Sequence, residues 1–276
     1  EFGNPSSLHR MGLEASHLLE DSRRTVASAL GCLPEEVYFT ACGTESTNIS
    51  LRGAAHLNRH KKGRIITTEI EHAATVNTAK QLAADGFDVV FLAPDATGHI
   101  TPEVLSEALT EDTILLSCQL VNNEIGTRNE VERLAAEVKR KNSRTLVHVD
   151  AVQAWMRVPI KLANIDTLAV SGHKIHAPKG VGALYLSDSL AQAFQPPYLG
   201  GEQEREKRPG TENLPYAVGL AAAVSRLSKN MKSRDAAVRA LNQQLREGLK
   251  AFPEVEINSP DSAVPEVLNF STNCVN

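Results

Sequence analysis

The sequence predicts an α/β fold in which a mostly parallel β-sheet is sandwiched by helices, followed by the start of a smaller α+β domain. Short apolar segments with the length of buried strands recur as far as Leu186, and amphipathic segments lie between them. Regular alternation of strand and helix is typical of a parallel sheet covered on both faces. After Gly219 the pattern changes to long helical segments and two short strands, which indicates a second unit.

The individual elements follow from local signals. An amphipathic helix is predicted over residues 11–30 and ends at Gly31, and another over residues 73–85 is closed by Gly86. The predicted strands cover residues 37–40, 64–68, 88–92, 113–120, 146–149, 167–170, 183–186, 255–257 and 267–271. The other helices begin at about residue 45 and cover residues 102–109, 131–141, 220–228 and 234–249.

The change of pattern divides the chain into two predicted domains. Residues 1–230 would form the large domain, and residues 231–276 the beginning of the small one. The small domain is expected to continue past Asn276. Because the first residue is Glu1 rather than Met, the natural N-terminus is expected to precede it.

Composition excludes several classes of protein. Of 276 residues, 42% are hydrophobic and 22% charged, and the net charge of −4 argues against a nucleic-acid partner. No apolar run reaches the length of a membrane helix, and no secretory signal is visible. None of the four cysteines forms a CxxC pair, so neither a disulfide framework nor a metal site is expected. A cytoplasmic location is the simplest expectation.

Lys174 is the first candidate site residue, in the segment Ser171-Gly172-His173-Lys174 that follows an apolar strand. A lysine that is partly desolvated and near another cation has a lowered pKa, which suits a Schiff-base nucleophile. Ser171 and His173 could donate hydrogen bonds to a phosphate. The alternative is an ordinary surface lysine in a loop.

Asp150 ends another apolar strand, where a carboxylate is costly unless it is paired. In a pyridoxal-phosphate (PLP) site an aspartate here would bond the pyridinium nitrogen and keep the ring an electron sink. Gln153, about one turn later, could reach the phenolic oxygen of the ring. The alternative is that Asp150 caps the following segment.

The segment that contains Gly43 and Thr44 runs from a strand through small residues into a helix. Backbone amides and the Thr44 hydroxyl at a helix N-terminus form an anion site. The alternative is simple helix capping by Thr44 and Ser46.

Two further candidates, His72 and Asn123, also follow strands. His72 could stack on a planar cofactor and shuttle protons near neutral pH, or it could be a surface histidine at a helix start. Asn123 could orient a ring oxygen or the substrate, or belong to a polar turn closed by Gly126.

All five segments follow predicted strands of one sheet, which capping alone does not explain. Parallel sheets bind ligands at the carboxyl ends of their strands. Together the segments supply an imine lysine, a carboxylate for the ring nitrogen, a stacking group and a phosphate cup, which are the parts of a PLP site.

The chain resembles the bacterial cysteine desulfurases of the NifS/IscS type, in the class V aminotransferase group of fold-type I PLP enzymes. The resemblance extends over essentially the whole chain. Its motifs are Gly3-Asn4-Pro5-Ser6-Ser7 with His9, Thr44-Glu45-Ser46, Glu71-His72, Asn122-Asn123-Glu124-Ile125-Gly126, His148-Val149-Asp150 with Gln153, Ser171-Gly172-His173-Lys174, Pro178-Lys179-Gly180-Val181-Gly182-Ala183-Leu184, Gly200-Gly201 and Arg208-Pro209-Gly210-Thr211.

The resemblance implies a role for each candidate. Lys174 would carry PLP through a Schiff base, and His72 would stack on the ring. Asp150 would pair with the ring nitrogen, and Gln153 and Asn123 would address the side of the phenolic oxygen. The phosphate would be bound by the Gly43–Thr44 turn, Ser171 and His173, together with Thr211 of the partner subunit, which makes a homodimer necessary.

The implied reaction removes sulfur from L-cysteine to give L-alanine. Lys174 would take the α-proton, and an enzyme thiolate would accept the sulfur as a persulfide for an acceptor protein in iron–sulfur cluster or thio-cofactor assembly. The family's nucleophilic cysteine and its substrate-carboxylate arginine are expected beyond Asn276. Cys274 does not match the family's cysteine loop, and Cys42 is expected to be a small buried packing residue.

Three readings of the function remain open at this point. The chain could be a cysteine desulfurase, or it could perform selenocysteine lysis or cysteine C–S elimination on the same scaffold. It could also be a truncated, non-catalytic dimerisation partner, since the expected thiol is absent from the sequence shown.

Overall fold

A computed structural model describes residues 3–272 and contains a seven-stranded mixed sheet with the spatial order β1-β7-β6-β5-β4-β2-β3. Strands β2 to β6 run parallel to one another, and β7 is antiparallel to both β1 and β6. The predicted fold class is therefore confirmed. The strands are β1 (Val37–Thr40), β2 (Arg64–Thr68), β3 (Asp88–Leu92), β4 (Thr113–Gln119), β5 (Leu146–Asp150), β6 (Thr167–Ser171) and β7 (Gly182–Leu186).

Helices cover both faces of the sheet, because successive side chains of its strands join different cores. Ile65 and Leu115 belong to a core with residues of α2, whereas their neighbours Ile66 and Leu116 belong to the larger core with α1, α5 and α7. The helices are α1 (Arg10–Leu30), α2 (Gly43–Leu57), α3 (Ala73–Ala84), α4 (Pro102–Ala108), α5 (Val131–Lys141), α6 (Asp188–Ala191) and α7 (Leu214–Leu249).

Helix α7 differs from its prediction, because it is one continuous helix of 36 residues rather than two. Residues 229–233, which separate the two predicted helices, contain neither Gly nor Pro. Lys and Met have good helix propensity and Asn and Ser an intermediate one, so no residue in this segment breaks the helix. The predicted domain boundary at residue 230 falls inside α7, and the division into two domains stays a prediction.

The last described segment is a two-stranded antiparallel sheet of β8 (Val255–Ile257) and β9 (Phe270–Thr272). β9 begins later than predicted because Val267 is in a turn, where its N–H donates to the carbonyl of Val264. Cys274 lies outside the described residues. Within residues 3–272, no helix is both long and apolar enough to cross a bilayer.

Candidate active site

A cavity of about 300 Å³ opens where the carboxyl ends of β4, β5 and β6 meet the N-termini of α2 and α3. Adjacent parallel strands end at the same edge of a sheet, so residues distant in sequence converge there. Nine of the ten predicted site residues line this cavity: Gly43, Thr44, His72, Asn123, Asp150, Gln153, Ser171, His173 and Lys174. The tenth, Thr211, does not.

Lys174 enters the cavity from a 3₁₀ turn, Gly172–Ile175, that directly follows β6. The backbone of this turn is fixed by Arg157, whose Nη2 donates to the Lys174 carbonyl at 3.3 Å. Among the described residues, the Lys174 ammonium has no carboxylate partner. The fixed backbone therefore keeps the half-buried Lys174 side chain at the cavity. No ion pair with a described carboxylate occupies its amine.

Asp150 is the last residue of β5, and its Oδ1 accepts a hydrogen bond from the Val152 N–H at 2.9 Å. Burial raises the pKa of Asp150, although the Val152 bond and the nearby His72 act in the opposite direction. In the described part of the chain, no Lys or Arg pairs with this carboxyl. A positively charged group bound in the cavity would stabilise the ionised form of this buried carboxyl.

The N-terminus of α2 presents uncapped amides to the cavity. Cys42 is the N-cap residue, but its side chain makes no capping hydrogen bond. A Cβ atom at Gly43 would lie 2.5 Å from Cγ2 of Val152, so only glycine leaves this corner open. Free amides at the start of a 15-residue helix favour an anion.

Ser171 and His173 stand across the same cavity and are joined by a 2.9 Å hydrogen bond between Ser171 Oγ and His173 Nδ1. Desolvation lowers the pKa of His173, and the positive charges of Lys174 and Lys179 lower it further. The imidazole is therefore neutral at pH 7, so any positive charge here comes from the lysines.

His72 is both a helix cap and a cavity residue, so the two alternatives raised for it are compatible. Its Nδ1 accepts a hydrogen bond from the Ala74 N–H at 3.1 Å, which caps α3. Because Nδ1 is an acceptor, the proton of the neutral ring is on Nε2. Capping thus fixes both the tautomer and the position of the ring.

The two predicted amides are oriented by charged neighbours. Gln153 Oε1 accepts from Arg157 Nη1 at 2.6 Å, which leaves the Gln153 NH₂ group as a donor. Asn123 Nδ2 donates to Glu124 Oε1 at 2.7 Å, which leaves Asn123 Oδ1 as an acceptor. These two side chains therefore offer the cavity an amide donor from Gln153 and an amide acceptor from Asn123.

Glu71 is a residue of this region whose role the sequence did not indicate. It is buried, and its Oε1 accepts from Thr68 Oγ1 at 2.9 Å and from the Gln119 N–H at 2.8 Å. Its Oε2 has no partner among the described residues. Burial, followed by the negative charge of Asp150, raises the pKa of Glu71 to about 8. Its place after strand β2 and beside His72 in a quoted motif drew attention to the position but did not indicate burial.

Three other residues correct or complete the expectations. Cys42 is half-buried in the cavity wall, so the expectation of a buried packing residue is wrong; its N-cap position points it toward the open helix end. Burial lowers the pKa of His148 to about 3, which makes it a neutral core residue. Thr211 is exposed and follows Gly210, whose φ is +100°.

The donor set fits the PLP that the resemblance implies. The unpaired Asp150 carboxyl suits the ring nitrogen, and the Gly43 corner with the α2 amides suits a phosphate. Lys174 lines the same cavity as these features. Within residues 3–272 no cluster of three His, Cys, Asp or Glu side chains could hold a metal ion.

Comparison with known proteins supports the same grouping. The chain is 40% identical over 259 residues to "Cysteine desulfurase IscS" of Methanosarcina thermophila, which covers 93% of this chain and 63% of that protein. A solved structure of a "NifS-like protein" superposes with a TM-score of 0.96 at 39% identity, covering 99% of this chain and 75% of that one. A structure of "SspA in complex with cysteine" has a TM-score of 0.89 at 33% identity, covering 99% and 76%.

The chain spans about two thirds of the length of the curated relatives it matches. The family model described as "Aminotransferase class-V" matches residues 1–276. The likeness to NifS/IscS-type proteins is confirmed, and this chain belongs to the class-V aminotransferase family.

Proposed function

We propose that this protein is a PLP-dependent cysteine desulfurase. It would convert L-cysteine to L-alanine and pass the sulfur through an enzyme persulfide to iron–sulfur cluster or thio-cofactor assembly. One observation carries the proposal: Lys174, Asp150, His72 and the open end of α2 share a single cavity. Family membership and relatives named cysteine desulfurases support it.

Class-V aminotransferases depend on PLP, and the bound cofactor would supply an electron sink. Lys174 would hold it covalently, and the Asp150 carboxylate would pair with the ring nitrogen. The α2 amides at Gly43 and Thr44, with Ser171 and His173, would bind the phosphate. These assignments rest on the position of each group in the cavity wall.

The remaining residues would orient substrate and move protons. Once the substrate amine has displaced it from the cofactor, the Lys174 amine would be free to accept the α-proton of cysteine, and no carboxylate among the described residues pairs with it. His72 would lie against the cofactor ring, in the position that capping of α3 imposes. The free donor of Gln153 and acceptor of Asn123 would address the side of the phenolic oxygen.

The thiol that accepts the sulfur is proposed to lie outside the described residues. Burial raises the pKa of Cys118 and raises that of Cys32 to about 12, so neither supplies a thiolate. Cys42 lines the cavity beside the phosphate cup rather than on a mobile loop. The substitution Cys42→Ser is therefore expected to leave alanine formation intact. If this variant formed no alanine, Cys42 would be identified as the nucleophile.

We also propose a homodimer that is cytoplasmic and delivers sulfur to an acceptor protein. Leu8 and Leu199 are 92% and 89% exposed, and a second subunit would cover such side chains. Thr211 is outside its own cavity, which suits a residue that completes the partner's site. The unpaired thiols of Cys32, Cys42 and Cys118 fit a reducing compartment.

The experiment is a visible absorption spectrum with added PLP, followed by L-cysteine and an alanine assay. The wild type should show a yellow band and form alanine, and Lys174→Ala should do neither. Lys161→Ala, which changes an exposed lysine away from the cavity, is the matched control and should match the wild type.

Other outcomes distinguish the alternatives. Pyruvate and ammonia instead of alanine would indicate C–S elimination, and selenide release with little activity on cysteine would indicate a selenocysteine lyase. A yellow protein that forms no product would favour a non-catalytic dimerisation partner. A colourless protein after PLP addition would refute the proposal.

A further inference from the structure

A strained turn precedes Thr211. Glu204, Arg205 and Glu206 have φ values of 48°, 52° and 64°, and none of them is glycine. Left-handed backbone brings the Cβ atom of an L-residue close to a carbonyl oxygen, so three such residues in a row are rare. A conformation of this kind persists only where surrounding contacts hold it, and such turns concentrate at functional positions.

Glu204 provides the first of these contacts. Its buried carboxylate accepts two bonds from Arg23 of α1, at 2.7 Å from Nη1 and 2.9 Å from Nη2. Glu204 Oε2 also accepts from the Phe39 N–H of β1 at 2.8 Å. A bidentate pair with a third, backbone donor satisfies a buried carboxylate well.

Hydrogen bonds attach this turn to β1, which is an edge strand of the sheet. Arg205 Nη2 donates to the Val37 carbonyl at 2.7 Å, and its guanidinium lies 4.4 Å from the centre of the Tyr38 ring. Arg23 donates to the same carbonyl. The Glu206 side chain is exposed and makes no hydrogen bond among the described residues, so the fastening depends on Glu204 and Arg205.

Hydrogen bonds of Gln203 and Arg208 connect this turn to the segment that leads to Thr211. Oε1 of Gln203, the residue before Glu204, accepts from the Gly210 N–H at 3.1 Å. Arg208 Nε donates at 3.1 Å to Glu45, which is next to Thr44 in the phosphate cup. Residues 203–210 therefore form a closed loop with two anchors, and Thr211 leaves it in a defined direction.

We propose that Arg23 and Glu204 are positioning residues that hold Thr211 in place for the cofactor phosphate of the partner subunit. Glu204 would then act on the other subunit's site and not on its own. This inference rests on the proposed function, because it requires a dimer whose PLP sites are completed by the partner's Thr211.

Heterodimers of differently tagged full-length chains test this. One chain carries Lys174→Ala, so only the other chain forms the yellow lysine-bound cofactor. Glu204→Ala is placed either on the Lys174→Ala chain or on the chain that retains Lys174, and the Kd for PLP is measured from the visible absorbance. Glu206→Ala, which changes the same residue type in the same turn, is the matched control in both placements.

We expect a loss only when Glu204→Ala is on the chain that carries Lys174→Ala. The Kd should then rise about 10- to 100-fold, the effect of losing one hydrogen bond to a charged group. Glu204→Ala on the other chain, and Glu206→Ala on either chain, should leave the Kd unchanged. The inference would be overturned if Glu204→Ala weakened PLP binding equally in both placements, or not at all. It would also be overturned if binding weakened only when Glu204→Ala is on the chain that retains Lys174.

Two further results keep the test decisive. If Glu204→Ala prevents folding, Arg23→Met with Glu204→Met removes both buried charges together and is measured in the same placements. A wild-type protein that binds no PLP or forms no dimer would overturn both this inference and the proposed function. A PLP-binding dimer without the placement effect would overturn this inference alone.

Discussion

Replacement of Glu71 by glutamine should remove a pH-dependent loss of stability. Glutamine has the same shape, and its Oε1 can still accept from Thr68 Oγ1 and the Gln119 N–H. Its NH₂ group takes the place of the unpartnered Oε2. The substitution therefore changes chiefly whether a proton can be lost at this buried position.

The sign and size follow from the pKa of Glu71, which moves from an ordinary 4.5 to about 8 in the folded chain. Between these values the folded state keeps a proton that the unfolded state releases. The contribution to stability is complete below pH 4.5, falls as the pH rises, and is lost above pH 8. One proton changes the free energy of unfolding by at most about 1.4 kcal/mol per pH unit, or about 5 kcal/mol over the whole interval.

Urea unfolding without added PLP, at one-unit steps from about pH 5 to about pH 9, measures this directly. Relative to Glu71→Gln, the wild type should lose stability progressively up to about pH 8. Glu69→Gln, on an exposed residue at the end of the same strand, should follow the wild type. Parallel curves for the wild type and Glu71→Gln would mean that Glu71 is already ionised at neutral pH, and the reasoning from burial would be wrong.

Three further substitutions test the site and the core. Gly43→Ala should weaken PLP binding about ten-fold or more, because the new Cβ lies 2.5 Å from Val152 Cγ2; an unchanged Kd would contradict the phosphate-corner assignment. Asp150→Asn should retain bound PLP but lower alanine formation about 100-fold or more, and near-normal turnover would refute its role at the ring nitrogen. Phe194→Ala should cost about 3–5 kcal/mol in urea unfolding because the ring is fully buried, with no change in the PLP absorption band; a loss below about 1 kcal/mol would contradict tight packing there.

Much of the candidate site could be predicted because the end of a buried strand is recognisable in a sequence as a change from apolar to polar residues. Lys174, Asp150 and His72 each follow a short apolar segment, and polar residues at that point stand out against it. The carboxyl ends of parallel strands share one edge, so the residues could be grouped without coordinates. Their predicted roles still await the measurements above.

The burial of Glu71 could not be predicted in the same way. Its acceptor bond from the Gln119 N–H exists because β4 lies beside β2, although β3 is between them in the chain. Strand order therefore decides which carboxyl is buried. The left-handed turn at Glu204 is similar, since Arg23 is 181 residues away and no local signal in Gln203–Glu206 indicates a positive φ.

The sequence by itself determined the fold class, most strand and helix positions, and which polar residues gather at the sheet edge. These properties depend on the periodicity of apolar residues, which is local in the sequence. They also depend on the rule that parallel strands end at the same edge of a sheet. Only the tertiary structure decided that Cys42 lines the cavity, that burial raises the pKa of Glu71, and that Arg23 binds the turn before Thr211. Burial and long-range pairing are properties of segments brought together by folding, so no local pattern encodes them.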